Sequence, residues 1–481
     1  MTISTANKQL DKTTALILAA GQGTRMQSET SKVLHEIAGR PLIYYSIRAA
    51  LDAGCKDVVV VVGHAKEQVA RYVVEMFGEQ VRMAVQSIQK GTGDAAAAGL
   101  AAVDGDNKNI VVFYGDAPLI VADNIRAVTL ALEAAPSSLH LATCTLDDPT
   151  GYGRIIRNST SSIVAIREQR DLRSSEEANI REINPGIYAA SLEFFRAALA
   201  SLKPTNAQGE LYLTDIVTFA VANHQPVVSI SLPTDVLLGV NDRVQLADAE
   251  GKMFSRIANH WRRFGATIST GAMIDDAVRI GRDCVIGPGV ILRGETVIGS
   301  QVRIDVGCVV TNTKIGDASL LKPYTVIGNS IVDKYAQLGP FSHIRPDTNI
   351  GEGAHIGNFV ETKKTTMGAG SKANHLAYLG DGIVGERTNI GAGTIFCNYD
   401  GTRKHLTTIE SDVFIGSDSQ IVAPVRIGAG AYVATGTTVV KDVPADALAI
   451  GRVRQENKEG YAERIRQRNR SAKGSSGAQG Q

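Results

Sequence analysis

Short aliphatic runs alternate with helix-like stretches through the first half of the chain. Between two of the runs, Val69, Val73 and Phe77 recur at four-residue spacing, which predicts one face of an amphipathic helix. The alternation predicts an α/β domain with a Rossmann-like, mostly parallel sheet, whose strands present ligand sites at their carboxyl ends. The runs that predict buried strands are TALILAAG (14–21), DVVVVVG (57–63) and NIVVFYGD (109–116).

One helical pattern separates this half from the next. Apolar residues stand three or four positions apart at Leu246, Ala249, Met253, Ile257, Trp261 and Phe264. Asn241 or Asp242 can cap the start of such a helix. We predict a linker helix over 242–264, between a first domain of residues 1–241 and a second domain of residues 265–465.

The apolar period becomes six after the linker. Evenly spaced aliphatic residues are Ile280, Ile286, Leu292, Ile298, Ile304 and Val310, then Ile350, Ile356, Val384, Ile390, Ile415, Ile421, Ile427, Val433 and Val439. Neither a helix nor a flat strand has this period, and a hexapeptide repeat is typical of a parallel β-helix whose stacked coils bury a common core. The pattern has two interruptions, at 361–381 and 396–408.

Composition excludes some classes of binding partner and indicates the cellular compartment. The 50 Lys and Arg residues nearly balance 49 Asp and Glu residues, so no global field attracts nucleic acid or a membrane surface. Five scattered cysteines without a C-x-x-C pair, and no signal-peptide or spanning pattern, predict a cytoplasmic protein with reduced thiols. The polar tail 466–481 is expected to be disordered.

The first glycine-rich turn, LAAGQGTRM (18–26), follows a predicted strand. It has Met26 where a dinucleotide fingerprint needs a third glycine, and it lacks the lysine pattern of a P-loop. Backbone N–H groups of such a turn can hold phosphates, and Arg25 and Lys32 can neutralise a triphosphate. An ordinary strand-to-helix turn with surface cations explains the same pattern, and the spacing alone does not decide between the two.

Several motifs in chain order carry a family resemblance. They are LAAGQGTRM, SKVLHEIAGRPL, GTGDA, YGDAPLI, GYGRI, EINPGIY, NAQGELYLTDI and GVNDR. Together they resemble the sugar-1-phosphate nucleotidyltransferases. With the hexapeptide repeats, residues 16 to about 461 resemble the family of bifunctional N-acetylglucosamine-1-phosphate uridyltransferases and glucosamine-1-phosphate acetyltransferases. The resemblance implies left-handed coils, a homotrimer, and synthesis of UDP-N-acetylglucosamine for bacterial cell-wall precursors.

The same resemblance assigns residues of the uridyltransferase site. It implies that Asp116 and Asn241 hold a catalytic Mg²⁺, and carboxylate and amide oxygens suit that hard cation. Arg25 and Lys32 would grip the triphosphate of UTP. The nucleotide would contact Leu18, Ala19, Ala20, Gly21, Gln86, Gly91 and Thr92, and the sugar phosphate would contact Tyr114, Gly115, Gly153, Glu168, Asn184 and Asn241. The stretch around Glu168 matches the family less tightly than the rest.

Polar residues crowd in and beside the two interruptions of the repeat. Acetylation of an amine requires a proton acceptor, and the imidazole of His375 is suited to that task near neutral pH. The resemblance implies that His375 is the general base. It also implies that glucosamine-1-phosphate contacts Arg345, Lys363, Tyr378 and Asn389, and that acetyl-CoA contacts Ala392, Asn398, Tyr399, Ser417, Thr435 and Arg452. Thr435 and Asn374 depart from the alanine and glycine that are common in the family.

Three functional hypotheses remain open on the sequence. In the first, the chain acetylates glucosamine-1-phosphate with acetyl-CoA and then transfers a uridylyl group from UTP to N-acetylglucosamine-1-phosphate. In the second, the chain is a nucleotidyltransferase only, its β-helix serves oligomerisation, and His375 is a surface or interface residue. In the third, the chain is a non-catalytic sensor that retains the nucleotide-sugar fold.

Overall fold

A computed structural model describes residue 10 and residues 12–63, 65–103, 107–234 and 239–476. The chain divides into two compact units near residue 264. Within the described residues, no helix combines the length and the apolar character that crossing a membrane requires.

The first unit is an α/β domain. Its described strands are Thr13–Ala19, Asp57–Val62, Arg82–Val85, Asn109–Tyr114, Leu139–Thr145, Gly153–Arg157, Ile163–Arg167, Glu182–Asn184, Tyr188–Ser191 and Val227–Ser231, with a small pair at Glu36–Ile37 and Arg40–Pro41. Its α-helices before the linker are Leu42–Ala53, Lys66–Phe77, Thr92–Leu100, Ala122–Ala134, Ser175–Ala178, Leu192–Ser201 and Ile216–Ala222. Short 3-10 turns lie at Thr24–Met26, Lys32–Leu34, Gly78–Gln80, Gln169–Asp171 and Leu213–Asp215.

The strand Thr13–Ala19 lies in the middle of the large sheet and is buried on both faces. It pairs in parallel with Asp57–Val62 on one side and with Asn109–Tyr114 on the other. Ile17 packs into one apolar core and Leu16 into the other, because successive side chains of a strand point to opposite faces. The three predicted strands and the buried face Val69, Val73 and Phe77 are confirmed.

The linker pattern forms the helix Arg243–Arg263, within one residue of the predicted span at each end. The Asp242 carboxylate accepts a hydrogen bond of 2.9 Å from the Gln245 N–H, so this residue caps the helix. Ala249, Met253 and Ile257 are buried, as the apolar stripe predicts.

The second unit is a parallel β-helix. In its described part, one sheet stacks Thr267–Ile268, Val285–Ile286, Arg303–Ile304, Leu320–Leu321, Gln337–Leu338, His355–Asn358, Lys372–His375, Asn389–Ile390, Phe414–Ile415, Tyr432–Val433 and Leu448–Ala449. The other contains Met273–Ile274, Arg279–Ile280, Ile291–Arg293, Val297–Ile298, Val309–Thr311, Lys314–Ile315, Val326–Gly328, Ile331–Val332, His343–Ile344, Asn349–Ile350, Glu361–Met367, Tyr378–Val384, Ile395–Cys397, Thr407–Ile409, Gln420–Val422, Val425–Ile427 and Thr438–Val439.

Each coil consists of three hexapeptides, some of them one residue short, so Ile286 pairs with Ile304 and Leu321 pairs with Leu338. All the aliphatic residues of the predicted six-residue series are buried, which confirms the period. The residue two positions earlier also points inward, and in several coils where it is Ser or Thr its hydroxyl donates to a carbonyl near the corner. Thr296, for example, donates to the Arg293 carbonyl at 2.6 Å.

The predicted interruption at 361–381 is wrong, because the ladder continues through it. Ile356 pairs with Ala373, and Ala373 pairs with Ile390, each at the ordinary separation of one coil. The inward position is occupied by the small, buried side chain of Ala373, which does not belong to the series of large aliphatic residues. The second interruption is real, since Ile390 pairs with Ile415 and the coil between them carries an inserted loop around Tyr399 and Lys404.

The prediction of a disordered tail from residue 466 is also wrong over the residues that the structure describes. They continue a helix, Tyr461–Ser476, whose described side chains are exposed. Local propensity accounts for it, because Ala462, Glu463 and the arginines favour helix and Glu463 accepts a 3.0 Å hydrogen bond from Arg466. Residues 477–481 lie outside the described part.

Candidate active sites

The carboxyl edge of the large sheet gathers the residues predicted to contact the nucleotide. Leu18 lies opposite Tyr114 in the parallel pair, so the segments that follow the two strands emerge side by side. These segments carry Ala19, Ala20 and Gly21 on one strand and Gly115 and Asp116 on the other. A Cβ on Gly115 would lie 2.6 Å from the Ile43 side chain, so the edge is closely packed there.

Gln86, Gly91 and Thr92 lie at the same edge. The Gln86 N–H donates to the Val62 carbonyl at 2.8 Å, and the Gln86 side-chain amide donates to the Gly91 carbonyl at 3.1 Å. Gly91 has a φ of +116°, which disfavours any other residue at the start of the helix Thr92–Leu100. The structure therefore brings together the three segments that were predicted to face the nucleotide.

Two cations and two oxygen-bearing side chains meet beside this edge. The Lys32 ammonium forms an ion pair with the Asp116 carboxylate and donates to the Asn241 amide oxygen at 3.3 Å. Arg25 donates to the same amide oxygen at 3.0 Å. The Lys32 and Asp116 side chains are only 15% and 16% exposed, so water screens their attraction less than at an open surface. The four residues form one cluster.

The donors in this cluster fit a divalent cation that arrives with a phosphate. Asp116 and Asn241 present oxygen atoms to one shared partner, Lys32. Among the described residues there is no group of three or more His, Cys, Asp or Glu side chains that could form a complete metal cage. Mg²⁺ commonly takes one or two protein oxygens and completes its shell with water and substrate phosphate. The pair suits that mode of binding.

A third group, predicted to contact the sugar, lies on the antiparallel part of the sheet. Asn184 pairs with Gly153 across neighbouring strands, and a Cβ on Gly153 would lie 3.3 Å from Glu168 Oε1. Asn184 donates to the Tyr188 hydroxyl at 2.6 Å. Burial raises the pKa of Glu168 above its ordinary value. The polar atoms of Gly153, Glu168 and Asn184 therefore share one small region.

His375 ends the strand Lys372–His375 and is exposed to solvent. Its Nδ1 lies 2.9 Å from the Asn358 amide oxygen, and Asn358 occupies the neighbouring position in the preceding coil. An amide oxygen can only accept, so Nδ1 carries the proton in this hydrogen bond, and in the neutral ring the lone pair is on Nε2. This arrangement orients the ring as a proton acceptor through Nε2.

Three cations gather on another part of the β-helix, at Arg345, Lys363 and Lys404. The adjacent Lys404 ammonium, and then the Arg345 guanidinium, lower the pKa of Lys363. Arg345 also forms an ion pair of 2.7 Å with Glu361. Like charges at close range need an anion to neutralise them, so Arg345, Lys363 and Lys404 form a candidate phosphate site. Lys404 was not among the predicted residues.

Tyr378 and Asn398 meet above Gly380, where an added Cβ would lie 2.4 Å from the Tyr378 hydroxyl and 2.8 Å from Asn398 Nδ2. Asn398 also donates to the Asp381 carboxylate at 2.5 Å. Asn389, by contrast, lies on the other sheet, between Lys372 and Phe414. In the described part of the chain, no side-chain hydrogen bond joins Asn389 to the three cations.

The residues predicted to contact acetyl-CoA follow one corner of successive coils. The Asp418 N–H donates to the Ala392 carbonyl at 2.7 Å, and the Gly436 N–H donates to the Ser417 carbonyl at 2.9 Å. In the next coil it is the Arg452 guanidinium, a side chain, that donates to the Thr435 carbonyl at 2.6 Å. Ala392, Ser417, Thr435 and Arg452 therefore form a column, whereas Asn398 and the exposed Tyr399 lie on the inserted loop.

Sequence reasoning missed several partners of the predicted residues. They are Asn358, the partner of His375, Lys404, the neighbour of Lys363, and Gln89, which donates to the Ala20 carbonyl at 2.5 Å. Gln89 lies two positions before the GTGDA motif, so its position was a usable signal. Asn358 gave no such signal, because it stands one full coil before His375 and becomes its neighbour only when the coils stack.

Family comparisons agree with both halves of this description. Residues 15–183 match the model of the MobA-like NTP transferase domain. Residues 406–441 match the model of the bacterial transferase hexapeptide with six repeats. The first match covers the carboxyl edge of the large sheet, and the second covers the later coils of the β-helix.

Relatives match along nearly the whole chain. A protein of Sorangium cellulosum is 52% identical over 463 residues, covering 95% of this chain and 98% of its own. One from Corynebacterium efficiens is 44% identical over 96% of both chains, and one from Anaeromyxobacter dehalogenans is 47% identical over 93% and 92%. Each of the three carries the name bifunctional protein GlmU.

Proposed function

The chain belongs to the bifunctional GlmU family and is an enzyme with uridyltransferase and acetyltransferase activities, and we propose that it makes UDP-N-acetylglucosamine in two consecutive steps. The β-helix first transfers an acetyl group from acetyl-CoA to glucosamine-1-phosphate. The α/β domain then transfers a uridylyl group from UTP to the product and releases pyrophosphate. The observation that carries this proposal is the presence of two chemically distinct clusters on one chain, one around Asp116 and one around His375.

In the acetyl transfer, His375 acts as the general base. Its Nε2 accepts a proton from the amine of the sugar, and the amine nitrogen forms a bond to the thioester carbon. The carbon–sulfur bond then breaks and the CoA thiolate leaves, to be protonated as the free thiol. The Asn358 amide oxygen accepts a hydrogen bond from Nδ1–H, which leaves the Nε2 lone pair free to take the proton of the amine. Arg345, Lys363 and Lys404 hold the sugar phosphate.

Other residues place the two substrates of this step. Tyr378 and Asn389 complete the amino-sugar site, and Asn398 and Tyr399 face acetyl-CoA from the inserted loop. Ala392, Ser417, Thr435 and Arg452 line the column along which acetyl-CoA lies. Thr435, which departs from the family alanine, is exposed, so its hydroxyl can face a polar ligand.

In the uridylyl transfer, an oxygen of the sugar phosphate attacks the α-phosphorus of UTP and the bond to the leaving pyrophosphate breaks. Lys32 and Arg25 hold the triphosphate and neutralise the charge that develops on the leaving group. The nucleotide lies against Leu18 to Gly21 and against Gln86, Gly91 and Thr92. The sugar lies against Gly153, Glu168 and Asn184, with Tyr114 and Gly115 beside it.

The family uses a divalent metal, and we propose that here it is Mg²⁺. Asp116 and Asn241 would hold it, and it would supply charge neutralisation at the phosphate oxygens. In the chain on its own, Lys32 neutralises the Asp116 carboxylate instead. When the triphosphate binds, its negative charge attracts the Lys32 ammonium and frees the carboxylate.

Oligomerisation and location form part of the proposal. A homotrimer is what the family resemblance implies. In it Asn389, which no described side-chain hydrogen bond joins to Arg345, Lys363 or Lys404, would complete the site of a neighbouring chain. Light scattering should give three times the mass of one chain, and a monomer that acetylates at full rate would contradict this arrangement. A cytoplasmic location is supported by the proposed substrates and by the described cysteines, which are all free thiols.

One assay separates the three functional hypotheses. Purified protein receives glucosamine-1-phosphate, acetyl-CoA and UTP, and release of CoA and of pyrophosphate is measured. A bifunctional enzyme releases both. A nucleotidyltransferase with a purely structural β-helix releases pyrophosphate only when N-acetylglucosamine-1-phosphate is added, and a sensor releases neither product.

A further inference from the structure

The loop that interrupts the repeat between Asn398 and Leu406 depends on local bonds for its shape. Asp400, Gly401, Arg403 and Lys404 are exposed, so no apolar core holds them in one conformation. Gly401 has a φ of +97°, which allows the chain to turn tightly at the tip. Isolated bridge pairing joins Tyr399 to Lys404 across the loop.

One carboxylate makes the bonds that close this loop. Asp400 Oδ1 accepts from the N–H groups of Thr402 and Arg403, each at 2.7 Å. Asp400 Oδ2 lies 2.7 Å from His405 Nε2 on the other arm of the loop. These bonds stabilise the ionised form, and hydrogen bonds from the Arg403 backbone and then from His405 hold the pKa of Asp400 below its ordinary value. The His405 N–H donates in turn to the Asn398 carbonyl at 2.8 Å.

The residues on either side of this carboxylate belong to the proposed acetyl-transfer site. Lys404 precedes His405 and lies beside Lys363, where it contributes to the cation cluster. Tyr399 precedes Asp400, and its hydroxyl donates to the Gly401 carbonyl at 2.6 Å. A change at Asp400 would therefore move both an anion-binding ammonium and a side chain proposed to face acetyl-CoA.

We propose that Asp400 is a positioning residue of the acetyl-transfer site. Its carboxylate ties two backbone N–H groups and the His405 ring together and so fixes the loop that presents Lys404 to the sugar phosphate and Tyr399 to acetyl-CoA. The inference rests on the proposed acetyltransferase function. Asp400 itself touches neither substrate and acts through the geometry of its neighbours.

The test compares Asp400→Ala, Asp400→Asn and Asp412→Ala in the full-length enzyme. Asp412 is the matched control, because it is also an exposed carboxylate of the β-helix and accepts 2.7 Å and 2.8 Å bonds from Arg387. We expect Asp400→Ala to raise the KM for glucosamine-1-phosphate and for acetyl-CoA by about tenfold or more, with a smaller change in kcat. We expect Asp412→Ala to leave both KM values within about twofold of wild type.

Asp400→Asn distinguishes a positioning role of the carboxylate from a direct effect of its charge on the substrate. Its amide oxygen can still accept from the Thr402 and Arg403 N–H groups, so it should restore most of the lost affinity. If Asn is as impaired as Ala, the charge acts on the substrate directly and the positioning role is overturned. Wild-type KM values in Asp400→Ala would overturn it as well.

Two measurements on the same preparation show whether the variant is folded. Uridylyl transfer and the melting temperature should stay at wild-type values in Asp400→Ala, and a loss of both would reveal general unfolding and contradict the local role. His375→Ala is assayed alongside and gives the background rate of CoA release. If the wild-type enzyme itself releases no CoA, the acetyltransferase proposal fails. If the wild-type enzyme releases CoA and Asp400→Ala does so with wild-type KM values, only the inference about Asp400 fails.

Discussion

His375 is an exposed side chain with a fixed proton position. Exposure allows a substrate amine to reach Nε2, and the bond from Nδ1 to Asn358 keeps the ring from presenting its other nitrogen. The β-helix supplies this geometry directly, because a neighbour in the preceding coil is automatically within hydrogen-bond reach. The ring is thus oriented by the repeat and not by a separate structure.

Replacing His375 by Ala should lower the rate of CoA release by about a hundredfold or more, the usual contribution of a general base. Pyrophosphate release from N-acetylglucosamine-1-phosphate and UTP should remain at the wild-type rate, because that chemistry involves the other unit. Steady-state assays of both products in one preparation check the prediction. CoA release within a few-fold of wild type would contradict the role of His375.

Lys32 competes with the proposed metal, since its ammonium contacts both of the oxygen donors, Asp116 and Asn241. Replacing Lys32 by Met should strengthen binding of Mn²⁺, used as a probe without nucleotide, by about tenfold, because the competing cation is gone. Electron paramagnetic resonance of free Mn²⁺ measures the affinity.

Two further variants control for this effect. Lys66→Met removes an exposed cation of the same unit and should leave Mn²⁺ affinity unchanged, whereas Asp116→Asn should weaken binding even with Lys32 replaced. Equal affinities in wild type and Lys32→Met would show that Lys32 does not compete for the site.

Linear sequence could identify many of these residues but few of their partners. The glycine-rich turn and the strand-end aspartate stand next to predicted strands, so Arg25, Lys32 and Asp116 were within reach of the pattern. Asn358 and Lys404 acquire their positions from the stacking of coils and from the shape of a loop. Neither is encoded in a local period.

At the scale of elements, the six-residue period predicted the β-helix because each inward position is buried and large residues there are regular. The same rule failed at 361–381, where Ala373 fills the inward position. A short side chain can occupy an inward position when the larger residues of the neighbouring coils fill the space around it. A pattern of Ile, Leu and Val alone does not include such a position. The helix Tyr461–Ser476 was not predicted because its described side chains are exposed and show no apolar period. Its helical conformation follows from the local helix propensity of its residues.

Gly357 provides a test of how closely the coils approach beside the proposed base. A Cβ at this residue would lie 1.8 Å from the Asn374 carbonyl oxygen, a backbone atom that cannot rotate away. Gly357→Ala should therefore displace the strand that ends in His375, lower the melting temperature and reduce CoA release by about tenfold or more.

Gly328→Ala is the matched control for this substitution. It adds the same methyl group to another strand of the β-helix, where no atom lies within 4 Å of the new Cβ. Activity and stability should match wild type. If Gly357→Ala also behaved as wild type, the coils would be far more compliant than their packing indicates.

At the scale of the molecule, the order of units could be predicted because the apolar period changes once, at the linker. Each unit contains its own cluster of reactive side chains: Lys32 and Asp116 belong to the first unit, and His375 and Asn358 belong to the second. The intermediate must then leave one site before it enters the other. That independence can be tested by mixing variants.

A mixture of His375→Ala and Asp116→Ala enzymes should make UDP-N-acetylglucosamine from glucosamine-1-phosphate, acetyl-CoA and UTP, although neither variant does so alone. Each supplies the step that the other lacks, and product should appear after a lag while the acetylated intermediate accumulates. Chromatography of the nucleotide sugar follows the reaction. Failure of the mixture, with both single activities intact, would mean that the intermediate never leaves its chain.

The final coil of the β-helix has a consequence for solubility. Its strands Thr438–Val439 and Leu448–Ala449 end the two sheets, so each has a neighbour on one side only. An open strand edge is a template for another copy, and lysine and arginine are common deterrents. The exposed residues 451–471 carry seven cationic side chains against three carboxylates. We therefore expect the charge of this segment to disfavour end-to-end stacking of copies, and we expect high salt, which screens that charge, to promote filaments.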